Sequence, residues 1–147
     1  MTRYIILTDT HFGHEKIKIY TGRPDNYEEQ ICSNLKRFVQ QYDIIVHLGD
    51  VSFGKDGWLK WRGLIEECKL KTNNKLTTIL TKGNHDKRSH FWYIKNGFNM
   101  VTEQNIHGHF HNAPENRHET YLIKNDKQRL LALESNNYEP CLLNKLV

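Results

Sequence analysis

The sequence has few of the features that would assign the chain to a secreted or membrane class. Only three of its 147 residues are cysteines, Cys32, Cys68 and Cys141, and no two of them have the spacing of a CxxC pair or a zinc knuckle. We interpret them as reduced thiols, with Cys32 and Cys68 on helix faces. No apolar run is long enough to cross a bilayer, and residues 1–8 lack the regions of a signal peptide. We therefore expect a cytoplasmic protein with no membrane partner.

An excess of charge of either sign is also absent. The formal net charge of +4 gives weak attraction to phosphate-bearing ligands, but without a large basic patch it does not indicate long nucleic acid as a partner. A chain of this length can bury a real core without disulfides, and it contains no internal repeat, low-complexity segment or linker. These observations predict a single domain over residues 1–147 and leave the oligomeric state open.

The first half of the chain alternates between apolar runs and amphipathic segments. Apolar runs at residues 4–7, 43–48 and 76–81 are typical of buried strands. Between them, apolar residues recur at helical spacing, first after a cap at Asn26 and then along a stripe that contains Trp58, Trp61, Ile65 and Cys68. The resulting β-α-β-α-β order predicts an α/β fold with parallel strands.

The second half shows a weaker pattern. Ser89 is a candidate cap for a short helix over residues 91–95, with Gly97 just past its end. Further short strands are predicted at residues 98–101, 105–107, 130–134 and 138–143, and a polar loop at 112–128.

Polar motifs follow four of these runs directly. They read Asp9-Thr10-His11, Gly49-Asp50, Gly83-Asn84-His85-Asp86 and Gly108-His109-Phe110-His111. Taken singly, the first two are ordinary cap and turn sequences. Together they favour a shared site, because the carboxyl ends of strands in an open α/β sheet face one crevice. Carboxylate, amide and imidazole donors without a thiolate suit Mn²⁺, Fe or Zn²⁺, so the four motifs predict a metal site.

These motifs resemble those of the calcineurin-like metallophosphoesterases, in particular their small single-domain bacterial and phage members. The matching segments are TDTHFGH at residues 8–14, HLGDVSFG at 47–54, GNHDKR at 83–88 and NIHGHFHN at 105–112, and the resemblance extends to residues 132–140. It implies a four-layer α/β/β/α sandwich. It also implies hydrolysis of a phosphomonoester or phosphodiester by a hydroxide that bridges two divalent metal ions.

The resemblance further implies which residues would bind the metals. Asp9, His11 and His111 would hold the first ion, and Asp50 would bridge the two ions. The ions would be manganese in the first instance, with iron, zinc, nickel and cobalt as alternatives. The substrate would be a phosphate-ester small molecule or a nucleotide, and the sequence does not choose between these and a nucleic acid or phosphoprotein.

The second metal ion would be held by Asn84 and His109, but this part of the family pattern is incomplete. The family normally adds a histidine at the end of a further strand pair, and residues 87–107 leave no room for that pair. Neither His90 nor His107 is favoured as its replacement. The chain is then naturally shortened with an impaired second site and a truncated second sheet, or carries a deletion, or lacks a stretch in the sequence as written. The alternative function is a degenerate, non-catalytic module that binds metal or phosphate.

The resemblance also implies catalytic residues. His85 would be the non-ligand histidine beside the scissile phosphate, and Asp86 would orient it. Asn84, His14 and Arg88 are the candidate substrate contacts.

Four further residues lie near the motifs. Arg23 is a second loop cation that could bind phosphate oxygens, and His47 lies inside a strand and is predicted either to pack in the core or to support the metal ligands. Trp58 and Trp61 are predicted to pack in the core rather than to stack on bases.

Overall fold

The computed structural model describes residues 2–83, 85–102 and 137–142. The elements in these ranges are β1 (Tyr4–Leu7), α1 (Glu15–Thr21), α2 (Tyr27–Phe38), β2 (Ile44–His47), α3 (Gly54–Lys71), β3 (Thr77–Thr81), α4 (His90–Lys95), β4 (Met100–Thr102) and β5 (Cys141–Leu142). None of the described helices is both long enough and apolar enough to span a membrane.

The strands form a mixed five-stranded sheet in the order β4-β3-β2-β1-β5. The first four strands are parallel, with Ile5 of β1 opposite Ile45 of β2. β5 runs antiparallel to β1 and places Leu142 opposite Ile5. The predicted α/β fold with parallel strands is therefore confirmed, and all four parallel strands direct their carboxyl ends to the same edge of the sheet. The strands expected at 105–107 and 130–134, and the loop at 112–128, lie outside the described residues.

The two long helices follow from the apolar spacing of the sequence. The buried face of α2 carries Tyr27, Ile31 and Leu35, each four residues from the next. The predicted stripe on α3 is confirmed, because Trp61, Ile65 and Cys68 are all buried there. Burial raises the pKa of the Cys68 thiol to about 11. This thiol therefore stays protonated at neutral pH and behaves as a small core residue.

The short helix α1 was not predicted from the sequence. It spans seven residues, of which only Ile17 and Thr21 are buried, so it offers too few turns for a periodic apolar pattern. His14, named above as a candidate substrate contact, is its N-cap, and the His14 Nδ1 accepts a hydrogen bond from the Ile17 amide at 3.0 Å. Gly22 ends the helix in the left-handed conformation, with φ of 69°.

The short helix α4 matches its prediction closely. The Ser89 side chain accepts a hydrogen bond from the Trp92 amide at 3.2 Å, so the helix begins at His90. Gly97, two residues after the helix, has φ of 111°. The strand predicted at residues 98–101 is found as β4 at Met100–Thr102, and of the described residues 138–142 only Cys141–Leu142 form a strand, β5.

Trp61 joins α3 to the sheet and to the strand-end segments. Its ring stacks on Phe98 with centroids 5.2 Å apart, and it meets the His47 ring edge-on at 5.3 Å. Phe12 lies 6.4 Å away on the segment that follows β1. The prediction that Trp61 packs in the core is confirmed, and this cluster fixes the helix beside the edge where the polar motifs emerge.

His47 is a fully buried and neutral core residue, as predicted. Thr10 donates its hydroxyl proton to the Val51 carbonyl at 2.7 Å, so its oxygen accepts from His47 Nε2–H at 2.9 Å. His47 Nδ1 in turn accepts from the Gly49 amide at 3.1 Å. Burial lowers the pKa of His47 to about 3, far below its ordinary value of 6.5. The imidazole thus links the ends of β1 and β2 in its neutral Nε2–H form.

Replacing His47 with glutamine should flatten the acid side of the stability profile. Below pH 6.5 the unfolded chain binds a proton at His47 while the folded protein does not, down to about pH 3. Protonation of this one group in the unfolded chain should therefore lower the free energy of unfolding by about 1.4 kcal/mol for each unit by which the pH falls across that window. His47→Gln keeps a donor and an acceptor but cannot titrate. Urea unfolding of both proteins between pH 7 and 4 measures the difference in slope.

His90→Gln is the matched control, because His90 is exposed at the start of α4. Its profile should follow that of the unchanged protein. Parallel profiles for His47→Gln and the unchanged protein would contradict the assignment of a neutral buried imidazole.

Candidate metal centre

Residues just after β1 and β2 have a strained backbone conformation. Asp9, His11 and Asp50 have φ of 52°, 47° and 55°, in the left-handed region that side chains other than glycine rarely occupy. Such conformations persist only where surrounding contacts determine them, and they concentrate at functional sites. All three residues belong to the predicted ligand set.

Hydrogen bonds between the two strand-end segments provide those contacts. The Asp9 amide donates to the Gly49 carbonyl at 3.0 Å, and the His11 amide donates to the Asp50 carbonyl at 3.0 Å. Beyond them, Phe12 forms an isolated parallel bridge with Ser52. The pairing of β1 with β2 therefore continues past the strands, which brings two motifs forty residues apart into one place.

The side chains of Asp9, His11 and Asp50 form a compact buried cluster. One donor atom from each lies within 4.8 Å of the others, and each residue is less than 5 % exposed. His11 Nε2 is 3.6 Å from Asp9 Oδ1. Two buried carboxylates so close together are unfavourable without compensating positive charge. Their oxygen donors, together with an imidazole and no thiolate, fit a divalent cation of the manganese, iron or zinc type.

Two glycines make this close packing of backbone feasible. A Cβ on Gly83 would collide with the carboxylate and the amide nitrogen of Asp50. A Cβ on Gly49, which has φ of 108°, would collide with the backbone of Gly83. The glycine before each motif is thus required by the approach of the β2 and β3 segments.

Asp86 ties those two segments together through a single carboxylate oxygen. Its Oδ2 accepts from the Asp50 amide at 2.7 Å and from the Gly83 amide at 2.9 Å. Burial raises the pKa of this carboxyl, while the backbone donors act in the opposite direction. The sequence suggested that Asp86 orients the His85 ring, whereas its hydrogen bonds in the described residues go to backbone amides. The role of Asp86 in orienting the His85 ring stays a prediction.

His85 lies at the mouth of the buried cluster. Its amide donates to Asp50 Oδ1 at 3.0 Å, and its exposed ring lies 6.0 Å from the His11 ring, centroid to centroid. This places a solvent-accessible imidazole beside the candidate ligands, where a bound molecule could meet it.

Arg23 is buried, contrary to the expectation that it would face phosphate. Its guanidinium donates to the Asp9 carbonyl at 2.8 Å and to the Thr10 carbonyl at 3.3 Å, and it lies over the Tyr27 ring. The Tyr27 hydroxyl donates to the His11 carbonyl at 2.7 Å. These two side chains hold the strained segment through its backbone carbonyls. No local pattern in the sequence predicts this role, because the backbone carbonyls that Arg23 and Tyr27 bind belong to a different segment of the chain.

The other predicted site residues are divided between described and undescribed parts of the chain. The His14 ring lies 5.6 Å from the His11 ring, and the Arg88 guanidinium lies 5.7 Å over the Trp92 ring. Their contact with substrate stays a prediction. Asn84, His109 and His111 lie outside the described residues, so the second metal site and the third ligand of the first site also stay predictions.

Comparison with known proteins agrees with this geometry. The model of the calcineurin-like phosphoesterase family matches residues 2–141, and the chain therefore belongs to that family. An uncharacterized protein of Methanocaldococcus jannaschii, MJ1445, is 30% identical over 168 residues, covering 100% of this chain and 90% of that protein. That length exceeds the 147 residues present here, so the relative contains positions with no counterpart in this chain.

A solved structure shares the fold. The crystal structure of AQ665, a protein of unknown function from Aquifex aeolicus, matches with a TM-score of 0.67 over 100% of both chains. The two sequences are 19% identical, so this similarity concerns the fold alone.

Replacing Arg23 with lysine should weaken metal binding without unfolding the protein. Lysine keeps the charge but lacks the planar fork that holds two carbonyl oxygens at once. We expect affinity for Mn²⁺ to fall by about 10–100-fold, the range typical of residues that support metal ligands. Isothermal titration calorimetry on the metal-free protein measures this change.

Arg37→Lys serves as the control, since Arg37 is exposed in the last turn of α2 and pairs with Glu139. Its Mn²⁺ affinity should equal that of the unchanged protein. Equal affinities in all three proteins would remove the supporting role assigned to Arg23.

Proposed function

We propose that this protein is a metal-dependent phosphoesterase that hydrolyses a phosphomonoester or a phosphodiester with two divalent cations. The observation that carries the proposal is the buried Asp9, His11 and Asp50 cluster at the carboxyl edge of the parallel sheet. A structural role alone does not account for two buried carboxylates in strained backbone, whereas a metal site does. Family membership supports the same chemistry.

The proposed ligands follow the family pattern. Asp9, His11 and His111 would hold the first ion, Asp50 would be shared by the two ions, and Asn84 and His109 would hold the second. When bound, the ions supply a hydroxide nucleophile at neutral pH and neutralise charge on the phosphate oxygens. Manganese is the first candidate, with iron, zinc, nickel or cobalt as alternatives.

The remaining steps belong to side chains around the ions. We propose that His85, which is exposed beside His11, donates a proton to the leaving oxygen. Its amide is anchored to the Asp50 carboxylate, so the position of the ring depends on the same loop that places the bridging ligand. Asn84, His14 and Arg88 are the proposed contacts to the phosphate.

The proposed fold extends beyond the sheet and helices described above. We infer one domain over residues 1–147 with the four-layer α/β/β/α arrangement of the family and a truncated second sheet. The five-stranded sheet and the helices on it would form two of those layers.

Replacing Asp50 with asparagine should abolish activity and reduce metal content. Asparagine preserves the shape and an acceptor for the His85 amide but removes the negative charge that two cations would share. We expect turnover of bis(p-nitrophenyl) phosphate in saturating Mn²⁺ to fall by more than about 100-fold, beyond the effect typical of residues that only support ligands. Metal analysis of the same samples should show fewer ions per chain.

Asp56→Asn is the control, because Asp56 is exposed in the first turn of α3. It should retain the activity and metal content of the unchanged protein. Two ions per chain together with turnover support the phosphoesterase. One ion or none, with no turnover at saturating Mn²⁺, would instead support a degenerate module that only binds metal or phosphate.

Replacing His85 with glutamine should slow the reaction in a way that depends on the leaving group. A general acid matters little when p-nitrophenolate leaves, but it matters greatly for an alkoxide. For an alkyl phosphate ester we expect kcat to fall by about 10²–10⁴-fold, with a much smaller decrease for the p-nitrophenyl ester. Metal content should not change. An equal loss on both esters would contradict the proton-donor role.

A further inference from the structure

A cavity of about 490 Å³ adjoins the metal centre. Its walls come from the first turns of α3 and from the segment that runs from His85 through α4. His85 belongs both to this lining and to the mouth of the metal centre, and Ser52 and Phe53 of the lining follow Asp50 almost directly in the chain. A molecule that places a phosphate at the metals can therefore extend into this cavity, whose volume is in the range of small-molecule sites.

The charged residues that line the cavity are basic. They are Lys55, Arg62, Lys87 and Arg88, and within the part of the chain that the structure describes no carboxylate lines the cavity. The acidic residues of the same helix are Asp56, Glu66 and Glu67, and a carboxylate oxygen of Glu66 lies 3.6 Å from the Arg62 guanidinium. A single scissile phosphate held at the metals does not require this many basic side chains in the adjoining cavity. The positive charge of the cavity suits a second phosphate, on the part of the substrate that lies there.

The remaining walls are aromatic. Phe53 is 58% exposed, and Trp92 is half-buried with the Arg88 guanidinium over its ring. Trp58 does pack, as predicted, since it meets Trp92 edge-on at 4.7 Å, but it also lines the cavity. Exposed aromatic surface beside cations suits a planar ring that carries phosphate groups.

We propose that this cavity binds a nucleotide, with its base against the Phe53 and Trp92 wall and a phosphate other than the scissile one at Lys55 and Lys87. A cavity of this volume holds one nucleotide, whereas proteins that bind single strands use grooves several nucleotides long. The identity of this substrate class rests on the proposed phosphoesterase function. The binding itself does not require metal, so the two can be tested separately.

The first test measures binding to the 147-residue chain in the presence of a metal chelator. Isothermal titration calorimetry compares adenosine 5′-diphosphate with adenosine and with pyrophosphate. We expect the diphosphate to bind about tenfold or more tightly than either fragment, because it engages both the aromatic wall and the cations. Equal affinity for the diphosphate and pyrophosphate would overturn the proposal, since the ring would contribute nothing.

The second test uses variants that separate the two halves of the cavity. The double variant Lys55→Gln and Lys87→Gln should weaken the diphosphate about tenfold and leave adenosine binding unchanged. Phe53→Leu should weaken both ligands by about fivefold or more, the lower end of the effect of stacking on one base. Because Phe53 is exposed, this variant should fold even if a change at Trp92 does not.

Lys75→Gln is the matched control. Lys75 precedes β3, at the amino edge of the sheet and away from the cavity, and its ammonium lies over the Tyr42 ring. It should bind all three ligands as the unchanged protein does. A similar loss in this variant would show a general charge effect and overturn the assignment of Lys55 and Lys87. Affinity that rises steadily with oligonucleotide length would also overturn the proposal, in favour of a nucleic-acid groove.

The outcomes separate this inference from the proposed function. Hydrolysis of bis(p-nitrophenyl) phosphate without preference for the diphosphate over pyrophosphate would leave the phosphoesterase standing and remove the nucleotide site. Preferential binding of the diphosphate without any turnover in saturating Mn²⁺ would support the site and remove the catalytic proposal.

Discussion

The two carboxylates of Asp9 and Asp50 are buried side by side with His11 at the carboxyl edge of the sheet. Like charges in a desolvated place repel each other, and the sequence must supply donors or a cation to offset that repulsion. The His85 amide supplies one donor to Asp50, and the Thr8 hydroxyl supplies one to Asp9. A divalent cation would supply the charge that such donors lack. The strained backbone and the glycines around this cluster follow from the need to hold these three side chains close together.

The residues that support the cluster act on backbone rather than on side chains. Asp86 accepts hydrogen bonds from backbone amides in the segments after β2 and β3. Arg23 and Tyr27 donate hydrogen bonds to backbone carbonyls in the segment after β1. Ligands held in this way are positioned before any ion or substrate arrives, which reduces the reorganisation that binding requires. His47 adds a neutral link between β1 and β2 beneath them.

The candidate metal ligands and the adjoining cavity belong to two different parts of the structure. The candidate metal ligands come from strand ends, which the sheet fixes rigidly, whereas the adjoining cavity is formed by α3 and the segment around α4. Segments that connect or flank a rigid sheet can change without disturbing the strand ends. His85 contributes to both parts, and it is therefore the residue through which the identity of a bound molecule could influence the chemistry.

The sequence by itself determined the elements whose signals are local. Each of these can be recognised from a few neighbouring residues: the apolar runs of β1, β2 and β3, the stripe of α3, the cap at Ser89 and the polar motifs after the strands. Only the tertiary structure decided that β5 runs antiparallel to β1, that Arg23 is buried beneath the Asp9 segment, and that Asp86 holds backbone amides. It also decided that α3 and α4 enclose a basic, aromatic cavity. Each of these depends on groups that are distant in the chain and meet only when the sheet is assembled, so no local periodicity encodes them.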